Sequence, residues 1–222
     1  MWSVAHIRPA YCRAERLSDG IVHVAGLGLA LLAVPALVAL TITFRSEPAA
    51  IVGTSIYGIT LILMLGFSAL YNMAHGHRLS SLFQRLDHSA IYLKIAGTYT
   101  PFLLLSSMPA TGFLAGLWGS AILGSALKMF DPNRFRWIAL GLYLAMGWAI
   151  VWAGGELLAE LPISVVGLMI SGGLMYTIGV GFYLAENLRF HNTIWHIFVL
   201  AGSILFFLAV SLHISGQPAP HG

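Results

Sequence analysis

The chain has 222 residues, of which 58% are hydrophobic and 9% charged. Soluble domains carry about 25% charged residues, so this composition excludes a domain whose whole surface faces water. The net charge of +3 comes from basic residues scattered through short loops, which form no patch for nucleic acid. Cys12 is the single cysteine, which excludes an internal disulfide and a cysteine-rich metal knot.

Residues 1–20 read as a lead-in segment, 21–213 as one membrane domain and 214–222 as a short polar tail. A helix needs about 20 apolar residues to cross the hydrocarbon core. Seven stretches qualify, at residues 21–44, 50–73, 88–107, 111–129, 136–154, 163–184 and 194–213. The first is longer than the roughly 7–15 residues of a secretory signal's apolar core, so it reads as a retained span. Polar or turn-forming separators lie at 45–48, 75–78, 131–134, 156–162 and 186–192. The break at 106–112 has no charge and reads as a tight turn, from Ser-Ser-Met-Pro and Gly112. The expected fold is an all-α, seven-transmembrane-helix bundle.

Lysine and arginine placement predicts the orientation. Arg8, Arg13, Arg16, Arg78, Arg85, Lys128, Arg134, Arg136 and Arg189 fall on one side, and only Arg45 on the other. This predicts a cytoplasmic N-terminus and an outside C-terminus. Gly112/Gly116 and Ser120/Gly124 have the small-xxx-small spacing of close helix packing. Pro35 and Pro101 are expected to kink their helices.

Ionisable groups at membrane depth are costly and tend to be functional. With the spans placed, His23 lies one turn into the first. Ser68 and Asn72 share a face at the end of the second, being i and i+4. Asp87 opens the third, and Asn192 and His196, again i and i+4, open the seventh. Four helices thus present polar groups at one level. Two readings follow: a site holding a metal with its water or a polar head group, and a hydrogen-bond network that glues the bundle. Glu15, Asp19 and His23 step by four along one helix face. Lys94 lies two turns deeper than Asp87, about 10 Å by helix rise, either pairing with an acid through a polar relay or carrying a neutral amine. The loop histidines His75 and His77, with His88, are metal-like by composition alone. No Gly-x-Ser-x-Gly, His-Glu-x-x-His or phosphate-loop motif is present.

The segments Ser68-Ala-Leu-Tyr-Asn72, Leu86-Asp87-His88-Ser-Ala-Ile-Tyr-Leu-Lys-Ile-Ala-Gly-Thr-Tyr-Thr-Pro-Phe102 and Ile194-Trp-His196-Ile-Phe-Val-Leu-Ala-Gly-Ser203 resemble the hemolysin III family. That family stands with the progestin and adipoQ receptors. Tyr143 to Trp148 and the Glu15/Asp19/His23 lead-in fit the same pattern, and the resemblance runs from about residue 13 to 214. It implies a seven-helix bundle with a zinc site near the cytoplasmic face. Its ligands would come from a Ser-x-x-x-His and a His-x-x-x-His, with a third-span Asp holding the metal-bound water. Ser68, Asp87 and His196 match those positions, giving Ser68 and Asp87 the catalytic roles. The two other histidine positions hold Asn72 and Asn192. A neutral amide oxygen replaces imidazole poorly at zinc, so clearly less than one zinc per chain is expected. Three outcomes are open: a metal-free Asn–Asp–His network, a weak or harder metal, and zinc restored by His75 and His191.

The functional readings are equally distinct. One is a receptor-like or membrane-homeostasis protein of a bacterial inner membrane, handling a lipid. Another is a metal-dependent hydrolase of a lipid amide or ester. The third is the lytic pore that the family name suggests. Membrane lipids are the expected partners, and the glycine-rich faces serve a single-chain bundle as readily as a dimer.

Overall fold

The computed structural model describes residues 11–45, 47–73, 78–107, 109–132 and 136–216. Among these, nine helices and no strand occur: α1 (Arg13–Phe44), α2 (Pro48–Met73), α3 (Ser80–Leu104), α4 (Thr111–Phe130), α5 (Arg136–Gly147), α6 (Ala149–Ala153), α7 (Gly155–Glu160), α8 (Ile163–Leu184) and α9 (His191–Gly216). Five of them, α1, α2, α4, α8 and α9, are long and apolar enough to cross a membrane. Large apolar side chains face outward: Leu32 is 77% exposed, Phe130 83% and Ile163 86%. Such a surface suits hydrocarbon rather than water. The chain is an all-helical polytopic membrane protein.

Five continuous spans stand where seven apolar stretches were expected, and the two differences have separate causes. The third stretch is a single helix, α3, but it carries Arg85, Asp87 and Lys94. It tolerates them because it is enclosed by α2, α4, α5 and α9. Ala90, Tyr92, Ala96, Phe102 and Leu103 on α3 are all nearly inaccessible. The fifth stretch is broken into α5 and α6 at Trp148 and ends at Gly154, and a further short helix, α7, occupies most of the expected separator. The 12 residues of α5 rise only about 18 Å, short of the roughly 30 Å hydrocarbon core. Tyr99 of α3 holds the first break together: its hydroxyl donates to Gly147 O at 2.7 Å and accepts from Ile150 N at 3.4 Å.

Two further boundaries move. The lead-in and the first apolar run form one 32-residue helix from Arg13, with Pro35 inside it. The third helix starts at Ser80 rather than 88, and Pro101 lies within it without ending it.

Packing around α3 uses small residues and reciprocal hydrogen bonds. Ser89 Oγ donates to Ser125 O and Ser125 Oγ to Ser89 O, both at 3.2 Å, locking α3 to α4. Gly124 receives the Tyr92 ring, whereas Gly112 and Gly116 face open space. Of the two small-residue pairs on α4, only the one containing Gly124 meets another helix of the chain. At Gly53 on α2 a Cβ would stand 2.8 Å from the Pro101 Cα. α5 and α8 meet through long side chains. Trp148 Nε1 donates to Thr177 Oγ1 at 3.0 Å, and Arg136 pairs with Glu186 at 2.7 Å.

Gly53→Leu is therefore expected to force α2 and α3 apart and cost about 1–3 kcal/mol, as overpacked cores do. Gly116→Leu should leave stability unchanged. Thermal unfolding in detergent compares them, and equal melting temperatures would refute the close approach.

Candidate functional site

The site begins with the i, i+4 spacing of α1, which places Asp19 and His23 on one face toward α9. Asp19 is 7% exposed and His23 4%. A carboxylate so enclosed needs donors on its oxygens, and α9 supplies them. His196 Nδ1 lies 2.6 Å from Asp19 Oδ1, and Asn192 Nδ2 donates to Asp19 Oδ2 at 3.2 Å. The same Asn192 amide reaches Asn72 Oδ1 at 3.5 Å, and Asn72 Nδ2 donates to Ser68 O at 3.0 Å. A continuous polar row thus runs from α2 through α9 to α1. His23 Nε2 stands 3.5 Å from Asp19 Oδ2. It is buried and makes no hydrogen bond. The His23 and His196 rings lie 4.3 Å apart between centroids, tilted 59° to each other.

A cavity of about 200 Å³ adjoins this row. His23, Ser68, Asn72, Asp87, Asn192 and His196 line one end; Tyr99, Trp148, Tyr176 and Phe206 line the other. Along α3, Asp87 and Tyr99 are separated by about 18 Å of helix rise. Ile91, Ile95, Leu144 and Val199 make the intervening wall apolar. A second recess of about 20 Å³ touches the other side of Asp19, Asn72 and Asn192. It is the size of one water molecule.

The remaining expected residues are placed as follows. Asp87 and Ser68 line the cavity, but the three donors that converge within 4.8 Å are Asp19, His23 and His196. The carboxylate against His196 is Asp19 of α1, a different acid from Asp87, to which the resemblance gave the metal-bound water. Lys94 is 3% exposed. Its Nζ donates to Thr98 Oγ1 at 2.5 Å and lies 4.7 Å from the centroid of the Tyr57 ring. Among the described residues no carboxylate comes within 4.0 Å of it; the aromatic face takes the place of an acid. His191 turns away from the row, its Nε2 2.9 Å from the Tyr11 hydroxyl. His75 and His77 lie outside the described residues. Glu15 serves the backbone: Oε1 accepts from Phe190 N at 3.0 Å and Oε2 from Cys12 N at 2.8 Å. Phe190 has φ 62°, a left-handed conformation costly for a bulky residue. Glu15 therefore braces the turn before α9, beside the Ser18–Thr193 hydroxyl contact at 2.9 Å.

The haemolysin-III-related family matches residues 12–207, a span that includes every member of the polar row. The chain belongs to that family. It is 39% identical to Hemolysin-3 of Bacillus cereus over 90% of this chain and 92% of that protein. It is 38% identical to the Hemolysin-3 homolog of Bacillus subtilis (strain 168), over 92% and 96% respectively. The human monocyte to macrophage differentiation factor is 25% identical over 73% of this chain and 71% of its own length. This more distant likeness carries the relationship into the progestin and adipoQ receptor superfamily.

Of the zinc-ligand positions that the resemblance implies, 72 and 192 carry amides that do not suit zinc, and His196 keeps an imidazole. Asn72 turns its NH₂ to Ser68 O, and the Asn192 NH₂ is held by Asp19. Neither position offers a nitrogen lone pair. Asp19, His23 and His196 do form a suitable set, one carboxylate and two imidazoles.

Replacing Glu15 with Ala removes the acceptor for the Phe190 N–H and should lower the melting temperature. Adding Phe190→Gly, which relieves the left-handed strain, should recover part of that loss. Differential scanning fluorimetry in detergent reads both, and no recovery would assign the loss elsewhere.

Proposed function

We propose that this haemolysin-III-related chain is an inner-membrane protein that holds one lipid chain in its central cavity, in a receptor-like or membrane-homeostasis role. The cavity carries the reading: its wall is mostly apolar, with Lys94 and Thr98 as polar members midway, and one end is polar. A chain packs against Ile91, Ile95, Leu144 and Val199, while its polar head hydrogen-bonds at the level of Ser68, Asn72 and His196. Mostly apolar pockets with a few convergent polar groups are the usual form of small-ligand sites.

In the proposed membrane topology the chain crosses seven times. The shielded α3 is the third crossing, and α5 with its broken continuation is the fifth. The positive-inside distribution puts the N-terminus in the cytoplasm, the C-terminus outside and the polar row near the inner surface.

A metal-dependent lipid amide or ester hydrolase is the second reading. It is favoured by Ser68, Asp87 and His196 lining one cavity. In that reading Asp87 would orient water and His196 would hold the metal. A lytic pore has less support, since aromatic side chains wall the far end of the cavity.

Trp148 and Trp195 line the cavity, which makes occupancy visible. A brominated fatty acid added to detergent-purified protein should quench tryptophan fluorescence saturably, near one molecule per chain. Trp148→Phe should reduce the saturable part. Quenching that grows linearly with probe, without saturation, would remove the lipid reading. A tag at residue 222 should be labelled from outside intact cells; labelling only after permeabilisation would reverse the orientation.

A further inference from the structure

We infer that Asp19, His23 and His196 form a divalent-cation site of zinc-like preference, anchored on α1 and α9 and sharing only His196 with the ligand positions that the resemblance implies. Three observations carry it. The ligand atoms of these residues lie within 4.8 Å of one another, and all three residues are buried. Buried acids and imidazoles clustered so closely are more than a solvated surface group, because each must be compensated where it stands. Secondly, His23 Nε2 is an imidazole nitrogen with no hydrogen bond, 4% exposed, directed at the Asp19 carboxylate from 3.5 Å. In the tautomer protonated at Nδ1, that nitrogen presents its lone pair to a cation shared with Asp19 without rearrangement of the backbone. Thirdly, the small recess beyond Asp19, Asn72 and Asn192 gives a cation a polar approach that avoids the apolar cavity.

The donor chemistry narrows the cation. Two imidazoles and one carboxylate are a borderline-soft set, suited to zinc and poorly to magnesium or calcium, which take oxygen ligands. Tetrahedral zinc at bond lengths near 2.1 Å holds neighbouring donors about 3.4 Å apart. The His23–Asp19 separation of 3.5 Å already fits. The His196–Asp19 contact of 2.6 Å is a hydrogen bond that opens when the His196 Nδ1 proton leaves. Cation uptake therefore releases a proton and weakens with acid. Asn192, donating to Asp19 Oδ2, takes the orienting role that partners of metal-bound carboxylates play. This departs from the expectation of substoichiometric zinc, which counted donors at positions 72 and 192 and omitted α1.

The site is independent of the lipid reading, since its donors converge whether or not the cavity is filled. The test is zinc binding by the full-length protein in detergent, stripped with chelator and reloaded with zinc alone. Wild type should retain about one zinc per chain by elemental analysis. Substituted with cobalt(II), it should show the visible absorption of a four-coordinate nitrogen–oxygen site. His23→Ala and Asp19→Asn should each weaken zinc at least tenfold; Asp87→Asn and His191→Ala should leave it unchanged. His23→Gln, with an unshifted elution volume and the helical signal of wild type, keeps the test decisive if the alanine variant fails to fold. Absence of zinc from wild type at micromolar free metal overturns the proposal. So does full affinity in His23→Gln, and so does loss of zinc in Asp87→Asn with normal folding. Failure here with saturable lipid quenching leaves the cavity reading standing.

Discussion

A carboxylate buried inside a helical membrane protein has to be answered by donors, and Asp19 organises this end of the molecule through that requirement. Its two oxygens draw His196 and Asn192 from α9 and bring His23 alongside from its own helix. The interaction fixes the rotation of both helices about their axes, because a turn of either would carry the donors away from the acid. Glu15, one turn earlier, and Ser18, the residue before Asp19, bind the turn into α9 and its start by the same logic. Breaking such a buried pair from one side is strongly destabilising, so the polar row is structural as well as chemical.

The second constraint is where polarity is allowed. Past the exposed Arg13 and Arg16 at the start of α1, the lipid-facing helices expose no charged residue, while α3 collects Lys94, Asp87 and a series of threonines and tyrosines inside the bundle. Tyr92, Tyr99 and Tyr143 each spend their hydroxyl on a backbone carbonyl of a neighbouring helix. These contacts tie α3 to α5 and hold the fifth stretch in place although it is not one continuous helix. The cavity forms on this side, where aromatic side chains and short helices replace tight backbone packing.

Much of the fold was legible as hydropathy, because crossing lipid demands long apolar runs. The break at Trp148 was not: Gly147 and Gly154 sit among apolar neighbours, and only the Tyr99 hydroxyl shows why the helix stops there. In the site, the amide positions 72 and 192 and His196 were readable from i, i+4 spacing. The same spacing put Asp19 and His23 on one face. What spacing could not supply was the partner across the gap. Asp19 and His196 are 177 residues apart, and one chain gives no measure of which acid approaches which imidazole. The resemblance drew attention to Asp87, which lines the cavity, and said nothing of Asp19 as the acid against His196. The roles of Glu15 and His191 were equally hidden, because a left-handed Phe190 and a Tyr11 hydroxyl against His191 leave no mark in composition.

The junction of α5 with α8 has a consequence for traffic. The two helices are held by an indole on a threonine and by a guanidinium on a carboxylate, with no broad interlocking of their surfaces. On the lipid reading proposed above, rotation of those side chains would part the seam and leave the polar row untouched, since none of its members takes part. An acyl tail diffusing sideways in the leaflet would then meet a hinged doorway and have no need to cross the head-group layer.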